Sequence, residues 1–292
     1  MFDFFANTFG YVLNFIYNIV SNYGWAIILF TVLVKVLLLP LSIKQQKTMK
    51  KSAKLQQEVK NIQFKYKNDP QKMNQEIMSL YKTEKMSPFS GCLSSIIQII
   101  LLLSIFYLVR SPLTFMRKVP TDTLNTYVAQ MKEEGKEVGS VYPEIDIIRE
   151  KGAQNEEVNV NMNFLGLDLS EIPQQNMQDW KVYIIPVLYI ISSFVSIRIT
   201  TSMQKTQTQK KSDIIDITEP KEGEEASETP KEPENNVDMS AQTGKMMTWL
   251  MPVMAISIAF VAPLGLALYW LVNNILMIAE RLVLNKIIKD ED

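Results

Sequence analysis

Five long apolar segments alternate with charged segments along this chain. The apolar segments cover residues 25–43, 91–110, 182–200, 246–262 and 263–284. Each is long enough for a helix to cross the hydrocarbon core of a bilayer, which takes about 17–25 residues. The pattern predicts an all-α polytopic membrane protein, built on a core of five transmembrane helices.

The first apolar segment is interrupted near its middle by a lysine. Lys35 lies inside WAIILFTVLVKVLLLPLSI, where an ammonium group costs about 2.5–3.5 kcal/mol on insertion scales. At 100° per residue, Thr31 and Ser42 share a helix face with Lys35. A charge at this depth is normally retained only where it faces protein or a water-filled cavity. The polar stripe therefore predicts a hydrated concavity beside this helix.

Two other spans supply polar residues for the same concavity. Gln98 lies in the second span, and Tyr269 and Asn273 share a face of the fifth, with Glu280 near its inner end. No Asp or Glu lies deep in any span, so Lys35 is expected to have no ion-pair partner and to be hydrated. A neutral lysine packed inside the protein is the alternative. The predicted lining is Lys35, Thr31, Gln98, Asn273 and Tyr269.

Residues 1–24 are predicted to form an amphipathic helix that lies in the membrane interface. Polar residues recur on one narrow face and apolar residues cover the rest, which is typical of interfacial helices. A further membrane-spanning helix remains the alternative. The polar face consists of Asp3, Asn7, Asn14, Asn18 and Ser21.

The segment 44–90 is strongly basic, with eleven lysines against four acidic residues. The positive-inside rule places such a segment in the cytoplasm. Its helical spacing breaks at Asp69 and Pro70, which predicts a helical hairpin whose second helix is capped by Asp69 and begins at Pro70. Two uses stay open: a helix pair resting on anionic lipid headgroups, or a docking surface for a nascent chain or partner.

The remaining connecting segments differ in charge and order. Residues 111–181 are predicted to be an extracellular loop, with twelve acidic and six basic residues between positions 111 and 180. Residues 201–245 are predicted to be a cytoplasmic acidic loop, disordered because EPKEGEEASETPKEPENN holds no large apolar residue. Residues 285–292 form a cytoplasmic tail.

The composition argues against catalysis and metal binding. The chain has no histidine and one cysteine, so the commonest general base and metal ligand is missing and no internal disulfide can form. No nucleophile with an adjacent base stands out within the membrane. We therefore predict no catalytic residue, no metal, no cofactor and no enzyme activity.

Four stretches, in this order, carry a family resemblance. They are YGWAIILFTVLVKVLLLPLSIKQQKTM at 23–49, SPFSGCLSSIIQIILLLSIFYLVR at 87–110, FLGLDLSE at 164–171 and GLALYWLVNN at 265–274. The sequence resembles the YidC family of membrane protein insertases over nearly its whole length. The resemblance implies a hydrophilic groove, open to the cytoplasm and the lipid, whose cation is usually arginine and is Lys35 here. Thr31, Gln98 and Trp270 match other groove positions.

The resemblance also implies a function and a setting. The expected function is insertion and folding of integral membrane proteins, alone or with the Sec translocon. The expected partners are nascent client proteins, the Sec translocon, a ribosome contacted through the 44–90 hairpin, and the lipid bilayer, but no metal and no DNA. The expected location is the bacterial cell membrane, crossed several times, with a cytoplasmic C-terminus.

A small secondary transporter or channel that uses Lys35 as an anion site is the alternative function. Transporters usually show internal repeats and paired broken helices. The sequence shows no convincing repeat, and five spans do not divide into two halves. The insertase is therefore the favoured interpretation.

Overall fold

The protein is mostly helical, with one two-stranded hairpin. The computed structural model describes residues 2–84, 100–101, 103–136, 138–215 and 257–289. Strands β1 (Asn163–Phe164) and β2 (Leu167–Asp168) pair antiparallel. Short turns of other helix types span Leu113–Arg117 (π), Glu156–Val158 and Trp180–Tyr183 (both 3-10). The α-helices are α1 (Phe2–Val20), α2 (Tyr23–Lys65), α3 (Pro70–Thr83), α4 (residues 103–110), α5 (Thr121–Glu133), α6 (Pro143–Lys151), α7 (Ile184–Ile215), α8 (residues 257–261) and α9 (Leu264–Lys289).

Three of the described helical stretches are long and apolar enough to cross a membrane: Tyr23–Thr48, Trp180–Ser202 and Leu264–Ile287. They correspond to the first, third and fifth predicted spans, which confirms the prediction of an all-α membrane protein. The second and fourth predicted spans, 91–110 and 246–262, lie partly outside the described residues, and their described parts are helical up to residues 110 and 261. Residues 201–215, predicted to belong to the disordered acidic loop, continue helix α7 instead, and the rest of that loop lies outside the described residues.

Helix α2 is longer than the first predicted span. It begins at an N-cap, where the Asn22 side chain accepts a hydrogen bond from the backbone N–H of Trp25 at 3.2 Å. Pro40 lacks an N–H and leaves the carbonyl of Val36 without its helical donor, yet the helix continues to Lys65. The first span and the start of the basic segment therefore share one rod about 65 Å long.

Helix α3 begins as the sequence predicts. The Asp69 side chain accepts a hydrogen bond from the backbone N–H of Lys72 at 3.0 Å, and Pro70 is the first helical residue. The helix contacts α2, and the ammonium of Lys72 lies 5.3 Å from the centre of the Tyr66 ring. No residue of α3 is buried, so this helix contributes no side chain to a packed core.

Residues 111–181, which we call the cap, form a folded unit rather than a simple loop. The π-helix, α5, α6 and the β1–β2 hairpin enclose an apolar core. Within it, Glu144 is a buried carboxylate that accepts hydrogen bonds from the backbone N–H groups of Leu113 and Thr114, at 2.8 and 3.0 Å, and from the Thr114 hydroxyl. Burial raises the pKa of the Glu144 carboxyl. The most buried apolar side chains are Leu113, Met116, Met131, Ile145, Ile147, Val158 and Leu169.

The cap holds the start of α2. The backbone N–H of Tyr23 donates to the carbonyl of Asn161 at 3.0 Å, and the Asn22 side chain donates to the carbonyl of Asn163 at 2.6 Å. These bonds join segments about 140 positions apart in sequence. They fix the start of α2 against the cap.

The cap also holds the start of α9. The backbone N–H groups of Leu264 and Gly265 donate to the carbonyls of Glu171 and Leu169, each at 2.9 Å. A Cβ atom on Gly265 would lie 3.5 Å from the ring of Tyr23. Helices α2 and α9 therefore start at the same level and run side by side away from the cap.

Helix α1 lies against the cap and α2 with one face. A Cβ atom on Gly10 would come within 2.0 Å of the carbonyl oxygen of Phe115, so the backbones of α1 and the π-helix touch there. Ala6 and Leu13 are buried on the same side. The opposite face exposes four large apolar side chains, Phe4, Tyr11, Phe15 and Ile19.

Candidate functional site

A cavity lies between α2, α4 and α9, beyond the part of α2 that the cap holds. Its volume is about 90 Å³, which is room for several water molecules. Its polar lining comes from two of the membrane-spanning helices. We call it the lysine cavity; it is lined by Thr31, Val34, Lys35, Leu38, Leu41, Ser42, Gln45, Leu101, Ile105, Tyr269 and Asn273.

The polar side of α2 follows from helical spacing. Thr31, Lys35, Ser42 and Gln45 recur at intervals of four, seven and three residues, which keeps them on one face. The Thr31 hydroxyl is buried and donates to the carbonyl of Ile27 at 2.6 Å. Thr31 is therefore the last buried polar residue of the packed part of α2, and Lys35, Ser42 and Gln45 beyond it line the cavity.

Lys35 forms an ion pair with Glu280. The ammonium nitrogen lies 3.3 Å from Oε2 of Glu280, and the side chains are 23% and 15% exposed. The expectation that Lys35 has no ion-pair partner is therefore wrong. The reason is the register of α2 against α9: Lys35 lies about 18 Å beyond Tyr23 along α2, and Glu280 about 23 Å beyond Gly265 along α9. Two long side chains bridge that difference.

The pair changes the charge of the lysine cavity. Lys35 and Glu280 together carry no net charge, so the cavity wall is not the isolated cation that the sequence suggests. Both side chains remain partly exposed, so the pair can be reached from outside the protein. The carboxylate lowers the cost of keeping an ammonium among the apolar helices.

The polar residues of α9 divide between two neighbours. Tyr269 and Asn273 face the lysine cavity. Asn274, one position further, is buried and donates to the hydroxyls of Ser192 and Ser193 on α7 at 3.0 and 3.1 Å. Such bonds between membrane helices contribute about 0.6 kcal/mol each. Asn274 therefore has a packing role, whereas Asn273 is available to the cavity.

Four of the predicted groove residues meet at the lysine cavity, namely Thr31, Lys35, Tyr269 and Asn273. Trp270 does not line it; its ring packs against Tyr189 of α7, with 6.0 Å between the ring centres. Gln98 lies outside the described residues. Gln45 also lines the cavity, although the sequence analysis does not predict it. It lies two residues beyond the end of the predicted span, on the helix face that Thr31, Lys35 and Ser42 share.

The described ranges contain no group of three or more Cys, Asp or Glu side chains that could hold a metal ion. The polar side chains that line the lysine cavity can form hydrogen bonds, and Lys35 also pairs with a carboxylate. The polar groups of the cavity can bind a charged or polar segment and replace part of its water shell.

Comparison with known proteins gives one consistent family. A family model described as 60Kd inner membrane protein matches residues 15–291. A membrane protein insertase YidC from Cupriavidus necator is 30% identical over 278 residues, which cover 95% of this chain and 35% of the relative.

Two further relatives carry the same printed name. The one from Chlorobaculum parvum is 27% identical over 281 residues, covering 96% of this chain and 36% of the relative. The one from Caldanaerobacter subterraneus subsp. tengcongensis is 45% identical over 102 residues, covering 35% of this chain and 50% of the relative. The chain thus spans only 35% of the length of the Cupriavidus relative.

Proposed function

We propose that this chain, which belongs to the 60Kd inner membrane protein family of the YidC insertases, inserts integral membrane proteins into the bilayer and assists their folding. The observation that carries the proposal is the half-buried Lys35 beside a polar cavity within the membrane-spanning helices. Insertion moves a polar segment across an apolar barrier and needs no bond chemistry, which fits a site without catalytic groups.

The lysine cavity would shorten that barrier. A charged residue at the centre of a bilayer costs about 2.5–3.5 kcal/mol on insertion scales, chiefly through lost hydration. A client tail that reaches the cavity keeps water and gains polar contacts with Lys35, Ser42 and Gln45. Only the distance from the cavity to the far side, about 18 Å along α2, then remains to be crossed without such help.

The same helix offers a route into lipid. Val36 and Leu37, which follow Lys35 in the chain and do not line the cavity, are 61% and 67% exposed. An apolar client segment can leave the cavity along this surface while its polar tail passes Lys35. The groove is thus proposed to open both to the cytoplasm and to the lipid.

The topology we propose has five spans in the bacterial cell membrane, with α1 in the interface and the cap outside. The eleven lysines of residues 44–90 favour a cytoplasmic α2–α3 hairpin, and the acidic cap favours the outer side. The exposed apolar face of α1 is suited to lipid contact. The C-terminal end of α9 would then lie in the cytoplasm.

The partners we propose are nascent client proteins, with the Sec translocon beside the insertase for some of them. The α2–α3 hairpin is basic, and its second helix has no buried residue. It can therefore contact the phosphate backbone of ribosomal RNA through its lysines. Removing positive charge from α3 alone should weaken a ribosome contact without altering the cavity.

The test is insertion by the purified protein in liposomes without Sec. The client is a small single-span protein with a short acidic tail, and protection of the tail from protease measures insertion. Lys35→Leu should reduce protection roughly tenfold, equivalent to about 1.4 kcal/mol. Lys35→Arg, which keeps the charge, should remain active, and Lys35→Leu with Glu280→Gln controls for the unpaired carboxylate.

Each outcome of this test has a meaning. Protection by wild type and not by Lys35→Leu supports the lysine cavity as the insertion site. Equal protection by wild type and Lys35→Leu would show that Lys35 has no role in insertion. Solute uptake into the vesicles without insertion would favour the transporter alternative.

A further inference from the structure

We propose that Glu280 is a resident counter-ion that a client carboxylate must displace from Lys35, so that Glu280 sets how strongly the lysine cavity prefers acidic client tails. This inference rests on the proposed function and concerns the same site. Its starting observation is that the cation in the cavity is already paired, at 3.3 Å.

The position of Glu280 places it on the path of an incoming tail. Measured from the cap, Glu280 lies about 5 Å further along the helices than Lys35. A tail that arrives from the α2–α3 hairpin therefore meets the carboxylate before the ammonium. Its own carboxylate is repelled by Glu280 until it reaches Lys35 and takes the place of Glu280.

The exposure of the pair makes such an exchange accessible. With 23% and 15% of the two side chains exposed, both charged groups can be reached from outside the protein. Exposed ion pairs in proteins hold their partners by up to about fivefold, which sets the scale expected for the exchange. A client carboxylate, held at the cavity by the rest of the client, competes with Glu280 on comparable terms.

The neighbouring cation is directed elsewhere. The Arg281 guanidinium donates to the hydroxyl of Thr200 on α7, on a different side of α9. Lys35 is the cation that Glu280 contacts in the described structure. Removal of the Glu280 charge should therefore free Lys35 from its contact, while Arg281, the next residue of α9, also loses a nearby negative charge.

The competing explanation is that Glu280 only makes Lys35 tolerable in the membrane. In that case Glu280→Gln lowers the amount of folded protein, or the insertion of every client, by the same factor. The counter-ion model predicts instead a change in the ratio between acidic and neutral clients. That ratio is insensitive to the amount of active protein.

The experiment uses the full chain in liposomes and two clients that differ only in their tails, which carry either Asp or Asn at two positions. The readout is the ratio of protease-protected Asp client to protected Asn client. Glu280→Gln should raise this ratio about fivefold over wild type, whereas Glu280→Asp, which keeps the charge, should restore it. Lys35→Gln should give the lowest ratio, because Glu280 then repels the acidic tail unopposed.

A second comparison keeps the test decisive if Glu280→Gln folds poorly. Adding Glu280→Gln to Lys35→Gln should raise the ratio above that of Lys35→Gln alone. An unchanged ratio in both comparisons, with wild type inserting both clients, overturns the counter-ion role and leaves the insertase intact. Wild type that inserts neither client refutes insertion by this chain alone, on which the counter-ion role depends, and so overturns both.

Discussion

The two halves of the first membrane helix differ sharply in what surrounds them. Near the cap, Tyr23, Ile27 and Phe30 of α2 are each no more than 2% exposed, whereas Leu37, which lies on the same face less than two turns beyond Phe30, is 67% exposed. The first half is fixed by close packing and backbone hydrogen bonds. The second half keeps one face open to the lysine cavity and another to lipid.

The polar groups of the two regions differ in the same way. In the cap, Glu144 is buried and its acceptors are filled by Leu113 and Thr114. In the cavity, Lys35 and Glu280 share one partly exposed contact. The difference teaches that the cap holds the starts of α2 and α9 close together, whereas further along the same two helices leave the lysine cavity and a partly exposed ion pair between them.

The largest difference in stability is expected between two methionine-to-alanine substitutions, one in the cap and one in α3. Met131 in the cap is fully buried and Met78 in α3 is 53% exposed. Met131→Ala should cost about 2–5 kcal/mol of unfolding free energy, because it leaves a cavity, whereas Met78→Ala should stay within about 0.5 kcal/mol. Denaturant unfolding of the two variants in detergent measures this. Equal losses of unfolding free energy in the two variants would contradict the view that the cap is closely packed and the α2–α3 hairpin is not.

Alanine substitutions at two glycines test whether α1 packs tightly against the cap. Alanine at Gly10 would place a methyl group 2.0 Å from the carbonyl of Phe115, while alanine at Gly265 meets nothing closer than 3.5 Å. Gly10→Ala should therefore destabilise by about 1–3 kcal/mol. Gly265→Ala should be tolerated and is the matched control. Thermal unfolding of both variants measures the two effects. An unchanged stability of Gly10→Ala would show that α1 does not pack tightly against the cap.

Two adjacent asparagines test the division of α9 into a packing face and a cavity face. Asn274→Ala removes two hydrogen bonds to α7 and should cost about 1 kcal/mol of stability, with little change in insertion per folded molecule. Asn273→Ala should lower insertion while leaving stability nearly unchanged. Unfolding and liposome insertion measured on both variants give the result, and an exchange of the two phenotypes would refute the assignment.

The smallest effect is a pH dependence that belongs to the cap. The raised pKa of Glu144 means that the folded cap holds this proton at a pH where the unfolded chain has released it. Its contribution to stability is complete below about pH 4.3 and is lost as the pH rises through the folded pKa. The stability of wild type relative to Glu144→Gln should therefore increase from pH 7 to pH 5.

Hydrogen exchange in the cap at several pH values measures that difference. The exposed Glu133→Gln is the control for the removal of one charge. A difference that shrinks on acidification would mean that hydrogen bonding, rather than burial, dominates at Glu144.

Local signals in the sequence predict several features correctly. Asp69 and Pro70 start α3 as expected, and the 3.6-residue period places Thr31 and Lys35 on the cavity face. The apolar segments predict three membrane helices that the structure describes. Each of these features depends on residues within one or two helical turns.

Features that depend on distant contacts could not be predicted. The fold of the cap rests on bonds such as that from Tyr23 to Asn161. The pairing of Lys35 with Glu280 depends on the level at which α2 and α9 start, which the cap decides. Trp270 lies only 100° from Tyr269 around α9, yet that rotation turns it from the cavity toward α7.

The most direct test of the central claim is crosslinking of a client tail from defined positions. A photoreactive side chain placed at position 42, in the lysine cavity, is compared with one at position 191, on the lipid-exposed face of α7. We predict that a client arrested during insertion crosslinks through its polar tail from position 42 and not from position 191. Crosslinks from position 191 alone, or equally from both positions, would contradict passage through the lysine cavity.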